Sequence, residues 1–155
     1  MNKIPYVVDS SVMVKWLSSQ DEQNLTQADE LLTDVQEGKI ALFSPELSKY
    51  EIGNVLWKKG LPVSDARETL ATYYSLPIAF VSESKELAEN AYKIAKEHSI
   101  TYYDASFLSL TQALEAILIT DNFKHQGKVK NIKVIKLADY ISLINVSSRS
   151  KKLIA

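Results

Sequence analysis

The chain has 155 residues, of which 46% are hydrophobic and 24% charged, and this is the size and composition of one globular domain rather than two. Its 18 basic and 19 acidic residues leave a net charge of −1, which does not by itself favour a nucleic-acid partner, and the lack of cysteine excludes disulfides, zinc–thiolate sites and thiol catalysis. No apolar run is long enough to span a bilayer and the N-terminus lacks a signal-peptide pattern, so we expect a cytoplasmic protein with no membrane contact.

Short apolar runs typical of buried strands alternate with amphipathic runs typical of helices. In chain order they predict strand 4–9, helices 10–17 and 21–37, strand 40–44, helices 45–59 and 63–76, strand 77–82, helices 83–98 and 102–114, strands 116–120 and 132–137, and a short helix 137–144. This alternation indicates a three-layer α/β/α sandwich around a mainly parallel central sheet. We expect residues 1–146 to form the domain and 147–155 a polar, flexible C-terminal tail.

Local sequence also predicts where some of these helices begin and end. The serine pair at positions 10 and 11 precedes an apolar run and is typical of an N-cap. Ser64 is likewise the expected N-cap of the helix predicted at 63–76. Pro45 stands where the first residue of a helix favours proline, and Gly38 ends the helix before it.

Two acidic residues directly follow predicted strands, Asp9 after "YVV" and Asp121 after "LIT". Ligands of open α/β sheets bind beyond the carboxyl ends of the strands, so both side chains are candidates for a site there. Taken singly, Asp9 could also cap a helix, and Asp121, which Asn122 follows, could be a turn residue. With four glycines and no glycine-rich loop, the chain has neither a P-loop nor a GxGxxG dinucleotide site.

Two more acidic residues lie on predicted helices. Glu51 shares a mostly apolar face with Leu47 and Val55, where an unpaired carboxylate costs roughly several kcal/mol or takes up a proton. Asp104 opens the helix "YYDASFLSLTQAL", where an acid also interacts favourably with free backbone N–H groups. Its four-residue offset from Leu108 nevertheless places it near the core side.

Considered together, the four acids indicate a metal site. Four separate segments each bring one carboxylate to the edge where a parallel sheet would gather them, with no matching set of Arg or Lys. Such charges would repel one another and raise their pKa values unless a divalent cation lay between them. Oxygen-only ligands favour Mg²⁺ or Mn²⁺ over zinc, and His98 and His125 are too far apart in sequence for a histidine metal site.

The segments "VVDSSVMVKWL", the helical Glu51, "YYDASFLSLT" and "LITDN" resemble, in this order, the PIN-domain family, especially the VapC-like toxins of toxin–antitoxin systems. The resemblance extends from about Tyr6 to Leu143. It implies a metal-dependent ribonuclease with acids at Asp9, Glu51 and the positions 104 and 121, and a hydroxyl near the metal at Ser11. It also implies a homodimer and a small antitoxin that blocks the acidic site. Departures from the family pattern are the Glu-Ala pair at 115–116, where relatives often carry glycine, and Asn122, which makes a fifth acidic ligand doubtful.

For hydrolysis of RNA we assign Asp9, Asp104 and Asp121 as metal ligands, directly or through water. Glu51 would bind metal or position the attacking water, and Ser11 would hydrogen-bond a ligand or a phosphate. For substrate binding we assign lysines that lie close to these acids in sequence, namely Lys15, Lys124 and Lys128, although charge runs of this kind are usually solvated loops. Tyr102 and Tyr103 could stack on bases or pack in the core.

Other classes of function stay open on sequence alone. Within the same resemblance, the chain could be an RNA-processing nuclease without an antitoxin, or an inactive scaffold that only binds RNA or protein. A phosphoacceptor receiver domain needs an adjacent acidic pair, and a haloacid-dehalogenase-type phosphatase needs Asp-x-Asp. The segment "YVVDSSV" has one acid, followed by Ser10 and Ser11, so it fits neither.

Overall fold

A computed structural model describes residues 2–17 and 23–141. Its strands are β1 Ile4–Val8, β2 Ile40–Pro45, β3 Ile78–Val81, β4 Ile117–Thr120 and β5 Val134–Lys136. Its helices are α1 Ser10–Leu17, α2 Leu25–Gln36, α3 Leu47–Lys58, α4 Val63–Ser75, α5 Lys85–His98, α6 Tyr102–Ala113 and α7 Phe123–Gln126, followed by a 3₁₀ turn, Leu137–Asp139. Within these ranges, no helix has the length and apolar character needed to cross a membrane.

The five strands form one sheet in the order β3-β2-β1-β4-β5, and every neighbouring pair is parallel. The chain first builds outward from β1 through β2 to β3, and then crosses to the other side of β1 to add β4 and β5. The sheet therefore reverses its winding between β1 and β4, and such a switch point opens a crevice at the carboxyl ends of the two strands. The predicted parallel α/β architecture is confirmed.

The core lies on both faces of the sheet because successive strand residues point to opposite sides. On one face, Tyr6 and Val8 pack with buried residues of α1, α2 and α3, together with Tyr73 of α4. On the other face, Val7 packs with buried residues of α5 and α6. Two layers of helices therefore cover the sheet, and the predicted three-layer sandwich is confirmed.

The roles predicted for Pro45 and Ser64 at helix starts are wrong. Pro45 does not open α3 but is the last residue of β2, where its register partner is Val81 and the next residue's N–H bonds to the Val81 carbonyl. The pairing of β2 with β1 has already ended at Phe43, so a residue without an N–H is tolerated there. Helix α4 begins one residue before Ser64, and no side chain caps it.

Other differences concern short or terminal segments. The second helix begins at Leu25, after a turn at residues 23 and 24, so its predicted start at Asp21 is wrong. The described part of the last predicted helix, 137–144, forms only a 3₁₀ turn over Leu137–Asp139, whereas residues 142–144 and the tail 147–155 lie outside the described residues. The four-residue helix α7 was not predicted, because one turn is too short to show an apolar period. Helix α6 is capped by Thr101, whose hydroxyl accepts the Asp104 N–H at 3.0 Å.

Candidate active site

The site begins at Asp9, the residue that joins β1 to α1. Its N–H bonds to the Ile119 carbonyl of β4 at 3.0 Å, which fixes it at the switch point between the two strands. Its carboxylate accepts the Ser11 N–H at 3.1 Å, so Asp9 rather than the serine pair caps α1. The residue is 7% exposed, and it is the most buried of the four predicted acids.

Side chains from three elements hold the Asp9 carboxylate in one orientation. Oδ2 accepts hydrogen bonds from the hydroxyls of Ser11 at 2.5 Å and Thr120 at 3.3 Å, while Oδ1 accepts one from the Gln126 amide at 3.2 Å. Hydrogen bonds to an ionised carboxylate are about twice as strong as those between neutral groups. Asp9 is therefore an acid whose carboxylate is oriented by hydrogen bonds at the base of the crevice.

Ser11 forms hydrogen bonds with both Asp9 and Asp121, the first and the last of the four acids in the sequence. Its hydroxyl donates to Asp9 and accepts the backbone N–H of Asp121 at 3.0 Å. The predicted position of Ser11 among the acids is thus what the structure shows, with contacts to two of them. The hydroxyl keeps the ends of β1 and β4 at a fixed separation.

Asp121 has a cation beside it, which the sequence did not reveal. The Lys15 ammonium lies 3.3 Å from Asp121 Oδ2, and the Lys15 side chain is 3% exposed. Asn24 donates to the other oxygen, Oδ1, at 3.5 Å. Lys15 is therefore buried as a charge partner of Asp121, and its role in contacting substrate stays a prediction.

Glu51 lies on α3 and faces the crevice rather than bulk solvent. The Ser10 hydroxyl donates to its Oε1 at 2.9 Å. Burial raises the pKa of Glu51 above its ordinary value, and although the bond from Ser10 opposes this, the charges of Asp9 and Asp104 raise it further. The carboxylate that looked misplaced on an apolar face is thus held by a hydroxyl and repelled by two neighbouring acids.

Asp104, on the first turn of α6, completes the group. Burial raises its pKa as well, followed by the negative charge of Asp9. The hydrogen bond with Thr101 and, after it, the electrostatic interaction with His125 lower the pKa of Asp104 and so act in the opposite direction. Asp9 therefore interacts electrostatically with an acid on each of two helices, Glu51 on α3 and Asp104 on α6. The backbone of Asp121 is linked to Asp9 through the Ser11 hydroxyl.

The donor atoms suit a hard cation, because the groups that face the crevice are carboxylate oxygens. In residues 2–17 and 23–141, no three acidic or histidine side chains are close enough together to hold one ion among them. This does not conflict with Mg²⁺, which keeps several of its waters and takes only one or two carboxylates directly. The arrangement is therefore suited to a hydrated ion that the acids contact partly through water.

Comparison with known proteins agrees with this geometry. The family model described as "PIN domain" matches residues 6–130, which is most of the chain and includes all four acids. The chain belongs to the PIN domain family. It is 30% identical to Ribonuclease VapC3 of Pyrobaculum aerophilum over 104 residues, which is 64% of this chain and 76% of the relative.

Solved structures show the same PIN fold at lower identity. PAE2754 from Pyrobaculum aerophilum superposes with a TM-score of 0.64 and 23% identity, over 95% of this chain and 96% of that one. A toxin–antitoxin complex from Klebsiella pneumoniae superposes with a TM-score of 0.64 and 16% identity, over 85% of this chain and 97% of that one. At these identities, the likeness supports the fold.

Sequence reasoning missed three polar residues of this PIN domain site. Thr120 and Ser10 each stand next to a predicted acid in sequence, and that adjacency was the available signal. Gln126 is fully buried on α7, and its Oε1 has no hydrogen-bond partner in the described structure. A Cβ at Gly127 would lie 2.5 Å from the Phe123 ring, so glycine lets α7 end tightly after Gln126.

The other predicted lysines are on the surface beyond β4. Lys124 is exposed and lines a surface depression together with Asp121 and Thr120. Lys128 is exposed on the loop after α7. Both side chains are accessible to a polyanion, and their contact with substrate stays a prediction.

Proposed function

We propose that this PIN domain protein is a Mg²⁺- or Mn²⁺-dependent endoribonuclease that hydrolyses RNA phosphodiester bonds. The observation that carries the proposal is the crevice in which Glu51 and Asp104 both interact electrostatically with the buried Asp9. A cluster of like charges that raises the pKa of its members is typical of a site that binds a cation or performs acid–base chemistry. The similarity to a protein named as a ribonuclease supports RNA as the substrate.

Asp9, Glu51, Asp104 and Asp121 would hold the metal, directly or through water. When bound, the ion supplies a more acidic water and stabilises negative charge on the phosphoryl oxygens. Asp9 needs no reorganisation for this role, because hydrogen bonds from Ser11, Thr120 and Gln126 already fix its carboxylate.

The chain's own residues then orient the reactants. Ser10 holds Glu51 through Oε1, which leaves Oε2 to contact the ion or to position the attacking water. Lys15 offsets part of the charge on Asp121. The exposed Lys124 and Lys128 would attract the phosphate backbone outside the crevice.

The activity is tested by incubating the purified chain with labelled transfer and messenger RNA and mapping the cut ends. We expect cleavage with Mg²⁺ or Mn²⁺, none with EDTA, and strongly reduced cleavage by Asp104→Asn. The matched control is Asp65→Asn on α4, which changes an exposed aspartate and should cut like the native chain. Binding of single-stranded RNA without cleavage under all metal conditions would favour the inactive scaffold instead.

The proposal includes a toxin role, with a small antitoxin as partner and the cytoplasm as the site of action, where RNA substrate is present. The relative named VapC3 and the Klebsiella pneumoniae toxin–antitoxin complex support this choice over an RNA-processing nuclease. Purification of the chain with its native neighbours should yield a small stoichiometric companion. The homodimer expected from the family resemblance is tested by the mass of the isolated chain in solution.

A further inference from the structure

A groove lies beside the acid crevice, between the first turns of α3 and α6 and the end of β3. It has a volume of about 270 Å³. Its floor is formed by aliphatic side chains, among them Leu47, Val81 and Leu110. Such a floor suits a flat, uncharged ring better than a phosphate.

Two exposed tyrosines stand at the rim of this groove. Tyr50 is 79% exposed and Tyr103 is 60% exposed, although both carry large apolar rings. Aromatic rings presented to solvent beside an apolar floor are what a single-stranded nucleic acid uses for stacking. The groove therefore has surfaces that can contact a base on its face.

The groove and the acid crevice share the same two helices. Tyr50 precedes Glu51 on α3, and Tyr103 precedes Asp104 on α6. Neighbouring residues of a helix point about 100° apart, since there are about 3.6 residues per turn. A groove lined by each tyrosine must therefore adjoin a crevice lined by each acid, as the base of a nucleotide adjoins its phosphate.

The charged groups of the groove are acceptors. Its lining contains Glu46 and Glu83 but no lysine or arginine. The Tyr102 hydroxyl donates to Oε1 of Glu83, which raises the pKa of Tyr102 to about 12 and orients the carboxylate. The second oxygen, Oε2, can accept from the amino group of a base, a pairing that carboxylates make with cytosine.

We propose that this groove is a nucleobase subsite that stacks one unpaired RNA base on Tyr50 and Tyr103. Glu83 makes it prefer a base with an exocyclic amino group, such as cytosine, over uracil. The inference rests on the proposed function, cleavage of RNA, and adds that the groove recognises the base of a nucleotide. The acids of the crevice face the phosphate, and the groove faces the base.

Binding is measured separately from cleavage, by fluorescence anisotropy of labelled oligocytidylate and oligouridylate in EDTA at low salt. We expect Tyr103→Ala to weaken oligocytidylate binding about tenfold, since base–aromatic stacking is of this order, and Tyr103→Phe to keep it. The matched control is Tyr92→Ala on α5, which removes a tyrosine that is 63% exposed and does not line the groove. Glu83→Gln should remove the preference for cytosine.

Equal binding by Tyr103→Ala and Tyr92→Ala would overturn the subsite, as would an unchanged preference in Glu83→Gln. A fall in solution mass caused by Tyr103→Ala would also overturn it, because the groove would then be a contact with a second copy. The proposed function is judged separately by cleavage with Mg²⁺. Binding through Tyr103 without cleavage refutes the nuclease and leaves the subsite standing, whereas cleavage with no effect of Tyr103→Ala refutes only the subsite.

Discussion

The two sides of the acid crevice differ in how completely their carboxylates are satisfied. On the strand side, Asp9 is buried and accepts hydrogen bonds from Ser11, Thr120 and Gln126. On the helical side, Glu51 accepts one hydrogen bond within the described residues, from Ser10, and burial and neighbouring charge raise its pKa. The pKa of Asp104 is raised in the same way.

This difference indicates two roles for the carboxylates: Asp9 fixes the geometry of the site, whereas Glu51 and Asp104 are ready to bind a cation. A carboxylate that is fully hydrogen-bonded adds stability and fixes geometry, while one held near other acids with few donors is destabilised until a cation arrives. The strand side therefore supports the architecture, and the helical side holds the charge that a metal would relieve. Substitutions on the two sides should affect stability in opposite directions.

Asp9→Asn should have the largest effect on activity. It alters the hydrogen bonds of the strand side, and it removes the charge that raises the pKa values of Glu51 and Asp104 on the helical side. We expect RNA cleavage to fall about 10²–10³-fold, the usual loss when one preorganised electrostatic group is removed. The melting temperature should also fall, since an amide has one acceptor oxygen and cannot accept from Ser11 and Gln126 together. Cleavage assays and thermal unfolding measure the two effects, with Asp65→Asn as the control, and an active Asp9→Asn would exclude the crevice as the catalytic site.

Mg²⁺ should stabilise the native chain by mass action. A ligand present at 100 times its dissociation constant adds about 2.7 kcal/mol to the free energy of unfolding. We expect the melting temperature to rise with Mg²⁺ in the native chain and in Asp65→Asn, but not in Asp9→Asn. An equal rise in all three chains would mean that the ion binds elsewhere.

The sequence predicted the fold and the approximate location of the acids for a shared reason. Apolar runs that stop at Asp9 and Asp121 identify the carboxyl ends of buried strands, and a parallel sheet brings such ends to one edge. Glu51 was recognisable because it interrupts an apolar helix face. These signals are local patterns whose three-dimensional meaning the α/β architecture then determines.

The remaining features depend on contacts between distant segments. Gln126 reaches Asp9 from a one-turn helix that has no periodic signature, so its role could not be predicted. Lys15 lies on an amphipathic helix where lysines are usually exposed, and its burial follows from pairing with Asp121, far along the chain. Pro45 fits a helix start by local preference, but the end of the β1–β2 ladder decides its place.

Gln126→Leu tests the strand side alone. The change leaves Asp9 Oδ1 without its donor in a buried position, which costs about 1–3 kcal/mol, although loss of the unpaired Gln126 Oε1 offsets part of this. We expect a lower melting temperature and weaker stabilisation by Mg²⁺. The control is Gln112→Leu on the exposed face of α6, whose amide oxygen accepts a hydrogen bond from Asn90 and which should not affect the response to Mg²⁺. Unchanged Mg²⁺ stabilisation in Gln126→Leu would show that the amide does not position Asp9.

Asp104→Asn tests the helical side. Its effect on the melting temperature should be the smallest of those predicted, and it should be an increase, whereas Asp9→Asn and Gln126→Leu lower the melting temperature. Burial, and after it the charge of Asp9, raises the pKa of Asp104 above its ordinary value of 3.8, so the folded chain holds this proton more tightly than the unfolded chain does. The stability that the proton contributes is complete below pH 3.8 and is lost as the pH rises through the raised value.

Without Mg²⁺, Asp104→Asn should therefore melt above the native chain near neutral pH, and the difference should shrink as the pH falls towards 3.8. Saturating Mg²⁺ should reverse the order, because the ion stabilises only a chain that keeps its carboxylate. Thermal unfolding over a pH series, with and without Mg²⁺, measures both effects. A variant that is less stable than the native chain at every pH would place Asp104 with Asp9, among the acids that the fold already satisfies.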